Sequence, residues 1–211
     1  MVTESEILAA LGKVSALITS DHIVYTSGRH GESYVNKDAV YPHTELTSQL
    51  CEQIARHFAP AEPEIVAAPA LGGIVLSQWT AHHLCRLLGK EVLSVYAEKV
   101  TDEAGFVIKR GYDQLLRGKR VLVVEDVLTT GGSVKKVIEL VATLGGHPIG
   151  AGVLCNRGNL QPEDIGAREL YALVKVDLAS WEERECPLCA RGVPVNLQVG
   201  KGREFTARRS A

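Results

Sequence analysis

The apolar run Val121, Leu122, Val123 and Val124 ends in two carboxylates, Glu125 and Asp126. A hydroxyl-rich glycine stretch, Thr129-Thr130-Gly131-Gly132-Ser133, follows. An apolar run without alternation marks a strand buried on both faces, as in a parallel sheet covered by helices. A helical pattern takes over at about 133–144 and stops at Gly145–Gly146, since glycine readily takes the left-handed conformation that ends a helix. Strand, polar glycine loop and helix in immediate succession restrict the chain to an α/β architecture.

The rest of the chain repeats that alternation. Ile65–Ala68 reads as a short buried strand, and the turn at 69–73 opens a helix through about Leu88. Val92–Val95 is the next strand, and residues 97–119, with Gly105, Gly111 and Gly118, read as a long mobile loop or hairpin. Ile149–Leu154 and Leu170–Val176 complete the strands. Upstream, Ile7, Leu8, Leu11, Val14, Leu17 and Ile18 have helical spacing over 4–18. Residues 22–41 read as strand, turn and strand around Gly28 and Gly31. Pro42 leads into a helix at about 44–58 with the stripe Leu46, Leu50, Ile54 and Phe58. The expected fold is a doubly wound, mostly parallel sheet in a single domain over 1–211. A small hood of about 1–42 and 177–200 is expected, with 201–211 a flexible tail. Ligands in such sheets sit beyond the carboxyl ends of the strands, so the loops after Ala68, Val95, Val124 and Leu154 share one rim.

Composition narrows the function. The 211 residues suit one domain, and 45% apolar with 23% charged residues supply an ordinary core. A formal net charge of −2 lacks the basic excess of a nucleic-acid binder, so local groups must hold any anion. No apolar stretch approaches the roughly 18 residues that span a bilayer. The acidic, amphipathic N-terminus lacks the features of a signal peptide, and a cytoplasmic protein is expected. Five cysteines, an odd number, argue against a disulfide framework. Cys186 and Cys189 form one CxxC pair, whereas zinc normally takes four ligands. His30, His43, His82, His83, Cys51, Cys85 or a partner subunit are the candidates to complete such a site, against reduced structural or weakly redox-active thiols. His82 and His83 are adjacent and point in different directions on a helix, so they share no metal.

The chemistry at 125–133 suits a phosphorylated sugar. Glycines let backbone N–H groups crowd an anion without Cβ clashes, and a helix N-terminus adds positive potential. Threonine and serine hydroxyls add donors. The carboxylates suit sugar hydroxyls, directly or through Mg²⁺, which takes oxygen ligands and keeps water. The spacing matches neither GxxxxGK[ST] nor GxGxxG.

Residues 121–133 resemble the motif with which type I phosphoribosyltransferases bind phosphoribosyl pyrophosphate (PRPP). The resemblance implies a Mg²⁺-dependent pentosyltransferase. In it Glu125 and Asp126 hold the ribose 2′- and 3′-hydroxyls or the metal, directly or through water. Val127 and Leu128 line the PRPP site, and Thr129, Thr130, Gly131, Gly132 and Ser133 cradle the 5′-phosphate. Ala70, Leu71 and Gly72, within APALGG at 68–73, meet the pyrophosphate, and Lys99 reaches a phosphate. Further segments are similar to orotate phosphoribosyltransferases: YTSGRHGESYVNKD, VLCNRG, the stretch from Glu98 to Ser133, and WEERECPLCARGVP of the branch with a C-terminal CPLC. In all, the likeness covers about 22–200. It implies PRPP and orotate as substrates, with Arg157, Thr129 and Lys37 at the base, Arg157 supplying a fork of donors to a planar anion. It also implies a homodimer and a loop around 99–111 that closes over the site.

The chain departs from that pattern at three places. Thr26 stands where a basic residue precedes the SG. The residues after Glu98-Lys99, VTDEAG, contain no lysine. Gly72 stands at a position often held by lysine. Lys109 and Arg110 are the replacements expected to act catalytically at the leaving group. A phosphoribosyltransferase for another base and a non-catalytic PRPP-binding regulator remain alternatives. The acidic stretch before residue 22 is too short for the DNA-binding module a regulator needs, and a purely structural domain leaves EDVLTTGGS unexplained.

Overall fold

The computed structural model describes residues 3–25, 27–100, 105–176 and 179–210. Two of the departures above, Thr26 and loop residues 101–104, lie outside the described residues. The first elements are helix α1 (Glu4–Lys13) and the short strands β1 (Leu17–Ile18), β2 (Ile23–Val24), β3 (His30–Gly31) and β4 (Tyr34–Val35). They are followed by α2 (Thr44–Phe58), β5 (Ile65–Pro69), α3 (Gly72–Leu88), β6 (Leu93–Lys99), β7 (Phe106–Val107), β8 (Arg120–Leu128) and α4 (Gly132–Thr143). The last are β9 (His147–Asn156), β10 (Leu170–Lys175), β11 (Ser180–Trp181), α5 (Pro187–Ala190) and α6 (Gly202–Ser210). No described helix is long and apolar enough to cross a membrane.

The chain divides into two units, one of Met1–Ile7 with Tyr41–Val176 and one of Leu8–Val40 with Asp177–Ala211. The first holds a six-stranded sheet in the order β10-β9-β8-β5-β6-β7. All neighbours are parallel except β7, which returns antiparallel to β6. Ile65, Ala67, Val95, Ala97, Val121, Val123, Ala151 and Val153 share one core with Val134, Val137, Ile138 and Val141 of α4. The intervening residues Val66, Ala68, Leu122 and Val124 are just as buried, as strand alternation requires when both faces are covered. On that second face a Cβ on Gly152 would run into Ile54 of α2, so glycine there lets α2 approach the sheet. Each fully buried valine or isoleucine contributes about 1.5–3 kcal/mol relative to exposure.

Several boundaries differ from the sequence expectation. Strand β8 does not stop at Val124. It continues to Leu128 because β9 stays paired with it through Glu125↔Val153, Val127↔Cys155 and Leu128↔Asn156. Strand β6 likewise runs on to Lys99, where Glu98↔Val107 and Lys99↔Phe106 form a hairpin. Within 97–119, Ile108 and Leu116 are buried and Tyr112–Leu115 is a 3-10 turn. The helical spacing over 4–18 overreaches. Helix α1 ends at Lys13, Ser15 adopts φ 56°, and Leu17–Ile18 pairs with Tyr34–Val35.

The second unit contains the β1–β4 pair and a three-stranded sheet in the order β11-β3-β2. Residues 201–211, expected to be a flexible tail, are helical over Gly202–Ser210. Phe205 is buried there with its ring 4.8 Å from that of His30. One apolar residue among polar neighbours gives this segment its anchor, which composition hides.

Candidate active site

Strands β5 and β8 stay paired only as far as Ala67↔Val123. Beyond that point β5 leans on β6 through Pro69↔Ala97, while β8 leans on β9 through Leu128↔Asn156. The chain leaves β5 toward β6 and leaves β8 toward β9, so the sheet order reverses between them. In open α/β sheets this is where a crevice for ligands forms.

The acidic pair lies on this diverging edge. Asp126 is buried, with Oδ1 accepting from the Val127 N–H at 2.7 Å and Oδ2 accepting from the Tyr41 hydroxyl at 2.9 Å. Glu125 is half-buried, and its Oε1 accepts from the Asp126 N–H at 3.0 Å. Consecutive strand residues project to opposite faces, so the two carboxylates serve different sides of the sheet edge.

The chain then turns through Thr129 and Thr130, both exposed, into α4. Gly131 sits at φ 72°, where a side chain is strained. A Cβ there would collide with Ile165, and Leu160 lies 2.9 Å away. Gly132 has no such obstruction, its nearest neighbour being Thr130 Oγ1 at 3.6 Å. The loop from Leu128 to Val134, with Glu125 and Val127, encloses a hollow of 170 Å³. Beside it lies a cleft of 350 Å³ whose lining includes Thr130, Gly132 and Ser133 together with Lys99 and Lys136. Two ammonium groups, hydroxyls and a helix start on one cleft make a ready receptor for phosphate.

The loop after β9 closes against the same strand end. The Arg157 and Gly158 N–H groups both donate to the Leu128 carbonyl, at 2.8 and 3.1 Å. Any Cβ on Gly158 would strike the Thr129 carbonyl oxygen. The buried Asn156 side chain clamps the loop by donating to the Leu160 carbonyl at 2.8 Å and accepting from its N–H at 3.0 Å. Arg157 is thereby tied to the backbone that carries Thr129.

Comparison with known proteins agrees with this geometry. The profile of the phosphoribosyl transferase domain matches residues 38–183. An orotate phosphoribosyltransferase of Pelotomaculum thermopropionicum is 38% identical over 92% of this chain and 95% of its own. The chain belongs to the phosphoribosyltransferase family. In structure it is similar to a Mycobacterium tuberculosis orotate phosphoribosyltransferase solved with Fe(III) dicitrate, with TM-score 0.64 and 19% identity over 82% of this chain and 96% of that one. It is also similar to the orotate phosphoribosyltransferase of Aeropyrum pernix, with TM-score 0.63 and 24% identity over 81% and 93%. These likenesses show the type I phosphoribosyltransferase fold.

Within that family fold, Glu125, Val127, Leu128 and the residues Thr129 to Ser133 line one hollow, and Lys99 lies on the adjoining cleft with Thr130, Gly132 and Ser133, while Asp126 is among the lining residues of neither. Other residues singled out in the sequence are placed differently. The Ala70 N–H is taken by the Ala97 carbonyl at 2.7 Å, leaving it no role as an anion donor. The Ala70–Leu71 peptide is cis, and Leu71 is 82% exposed at the head of α3. Lys109 and Arg110 do not line the cleft that carries Lys99 and Lys136. Both pair with Glu98, Arg110 through Nε and Nη2 at 3.1 and 2.9 Å and Lys109 at 4.0 Å. Arg110 also lies 5.9 Å from the Tyr96 ring centre. The Glu98 hydrogen bond raises the Arg110 pKa further. Lys37 belongs to the second unit and pairs with Asp38 at 3.9 Å.

Tyr41, Lys136 and Asn156 escaped sequence reasoning. Lys136 carried a legible signal, since it follows Gly132 by four residues and so shares a face of α4 with it. Tyr41 carried none, standing 85 residues from Asp126.

Proposed function

We propose that this protein is an orotate phosphoribosyltransferase, transferring ribose 5-phosphate from PRPP to orotate to give orotidine 5′-monophosphate and pyrophosphate in pyrimidine nucleotide synthesis. The observation that carries the reading is the buried Asp126 at the sheet's switch point, leading directly into the hydroxyl-rich cradle of Thr129 to Ser133. The 38% identity to an orotate enzyme over nearly the whole chain points to the base.

In this reading Thr129 to Ser133 hold the 5′-phosphate, with Lys99 and Lys136 balancing its charge. Glu125 and Asp126 hold the ribose hydroxyls. Their oxygen donors also fit Mg²⁺, a hard cation that takes oxygen ligands. When bound, that ion supplies Lewis-acid stabilisation of charge on pyrophosphate. Leu71 and Gly72 face the pyrophosphate. Arg157, with Thr129, recognises orotate. As the C1–pyrophosphate bond breaks, positive charge gathers on the sugar and negative charge on the leaving group. The chain's task is to position both partners and stabilise that charge. Lys109 and Arg110 act at the leaving group when the loop around 99–111 closes and excludes water, exchanging Glu98 for pyrophosphate. A homodimer and a cytoplasmic location belong to the same proposal.

The test supplies Mg²⁺ and PRPP with orotate, uracil, adenine or hypoxanthine separately and follows pyrophosphate release. Release with orotate and not with the others is expected. Release with a purine alone, or with none, refutes the assignment.

A further inference from the structure

The second unit holds a constellation that the transferase reading does not use. His22 lies just before β2, His30 is in β3, Cys186 immediately precedes the short helix α5 and Cys189 lies within it. The ligand atoms of these four side chains all lie within 4.8 Å of one another. His22 Nε2 is 2.9 Å from His30 Nδ1 and 3.6 and 3.7 Å from the Sγ atoms of Cys186 and Cys189. Cys189 Sγ is 3.4 Å from His30 Nδ1. Zinc sits about 2.0–2.1 Å from nitrogen and 2.3 Å from sulfur, so a tetrahedral set has ligand–ligand edges of about 3.3–3.8 Å. These three sulfur–nitrogen separations fall inside that range, the nitrogen–nitrogen separation is a few tenths shorter, and the remaining pairs lie within 4.8 Å.

The surroundings point the same way. His22, His30 and Cys186 are 1%, 0% and 2% exposed, so water does not solvate their polar atoms. Buried polar groups need partners, and these four side chains turn their ligand atoms toward one another. His22 Nδ1 lies 2.7 Å from the Val193 carbonyl oxygen. A carbonyl only accepts, so Nδ1 carries a proton, and it is Nε2 that faces the cluster. This is the outer hydrogen bond that orients a metal-binding histidine. His30 offers Nδ1, while its buried Nε2 finds no hydrogen-bond partner among the described residues and its ring stands edge to face with Phe205. Two sulfurs and two nitrogens around one point match zinc and not an oxygen-seeking cation. None of the other candidate residues from the sequence joins the cluster.

We infer that His22, His30, Cys186 and Cys189 bind one Zn²⁺ in a closed structural site. The site fastens the β2–β3 hairpin to the CPLC segment, a link between residues 164 apart. Strands β2, β3 and β11 are two residues each, and so little regular pairing gains from a metal staple. With four protein donors the site keeps no open position, which separates it from a catalytic zinc.

The test uses the full-length chain purified under reducing conditions without chelator, its metal measured by mass spectrometry and its cobalt-substituted form by absorption. About one zinc per chain is expected, together with a thiolate-to-cobalt charge-transfer band and the intense visible bands of tetrahedral cobalt. C186S combined with C189S should bring zinc below about a tenth of an equivalent, while H43A keeps it. If the double variant does not fold, the wild-type cobalt spectrum still decides. Wild-type protein that retains less than about a tenth of an equivalent after reconstitution with zinc overturns the inference, as does a cobalt spectrum without sulfur ligation. A Cys186–Cys189 disulfide persisting in reducing buffer overturns it too. Zinc content is read without PRPP or orotate, so the outcome is independent of the transferase assignment.

Discussion

The Tyr41 hydroxyl donates a 2.9 Å hydrogen bond to Oδ2 of Asp126, joining the entry to α2 to the strand that carries the acidic pair. With the Val127 N–H on Oδ1, it holds a buried carboxylate in one orientation before any substrate arrives. Pre-set orientation of this kind lowers the cost of binding and of reaction.

Tyr41→Phe keeps the ring and removes the donor. A buried acceptor that loses a partner costs about 1–3 kcal/mol, so urea denaturation should show that loss. The kcat/KM for PRPP should fall about tenfold, since 1.4 kcal/mol corresponds to a factor of ten. A variant equal to the parent in both would remove Tyr41 from the site.

The two glycines of the loop at 129–133 should behave differently. Gly131→Ala places a side chain at φ 72° against Ile165 and should lower stability by about 1 kcal/mol or more. Gly132→Ala meets nothing closer than 3.6 Å and should fold like the parent while weakening PRPP binding. Thermal melts and PRPP titrations of both variants separate strain from ligand contact.

Lys136→Ala and Arg157→Ala should divide the two substrates. Lys136 is exposed, so its loss should change stability by no more than about 0.5 kcal/mol. It should raise the KM for PRPP about tenfold and leave that for orotate unchanged, as fits one charge-assisted phosphate contact. Arg157→Ala should do the reverse. Steady-state kinetics with each substrate varied in turn is the check, and equal effects on both substrates would cancel the assignment.

Burial pushes the Cys51 thiol up to about 12 and the Cys155 thiol up to about 11, the Arg157 charge partly opposing the latter. In the unfolded chain a thiol ionises near about 8.5. Above that pH the unfolded state gives up protons that the folded state keeps, so stability present below it is lost as pH rises. Urea midpoints should therefore fall between pH 8.5 and 10.5, less steeply in Cys51→Ala, and native protein should resist alkylation at both positions. An identical slope in the variant would exclude Cys51 as a source.

The parallel sheet was legible because its signals are local. Ile65–Ala68 and Val121–Val124 are unbroken apolar runs, and 44–58 has a clean stripe in which Leu50, Ile54 and Phe58 proved buried. The strand-to-helix turn at 129–133 was legible for the same reason, its parts being contiguous. What was missed depends on partners distant in sequence. Glu125 and Asp126 look like loop residues until Val153 to Asn156 are seen to extend the strand. Tyr41 meets Asp126 only in three dimensions, as His22 meets Cys186. The pairing of Lys109 and Arg110 with Glu98 is likewise visible only once the hairpin has formed.

The claim that the turn after Asp126 grips the sugar phosphate is tested most directly by calorimetric titration of PRPP into the protein with magnesium present. One binding event per chain with a dissociation constant on the order of micromolar, weakened at least about tenfold in Asp126→Asn protein that still folds, is the expected result. No detectable heat at millimolar PRPP, or equal affinity in the two proteins, would contradict it.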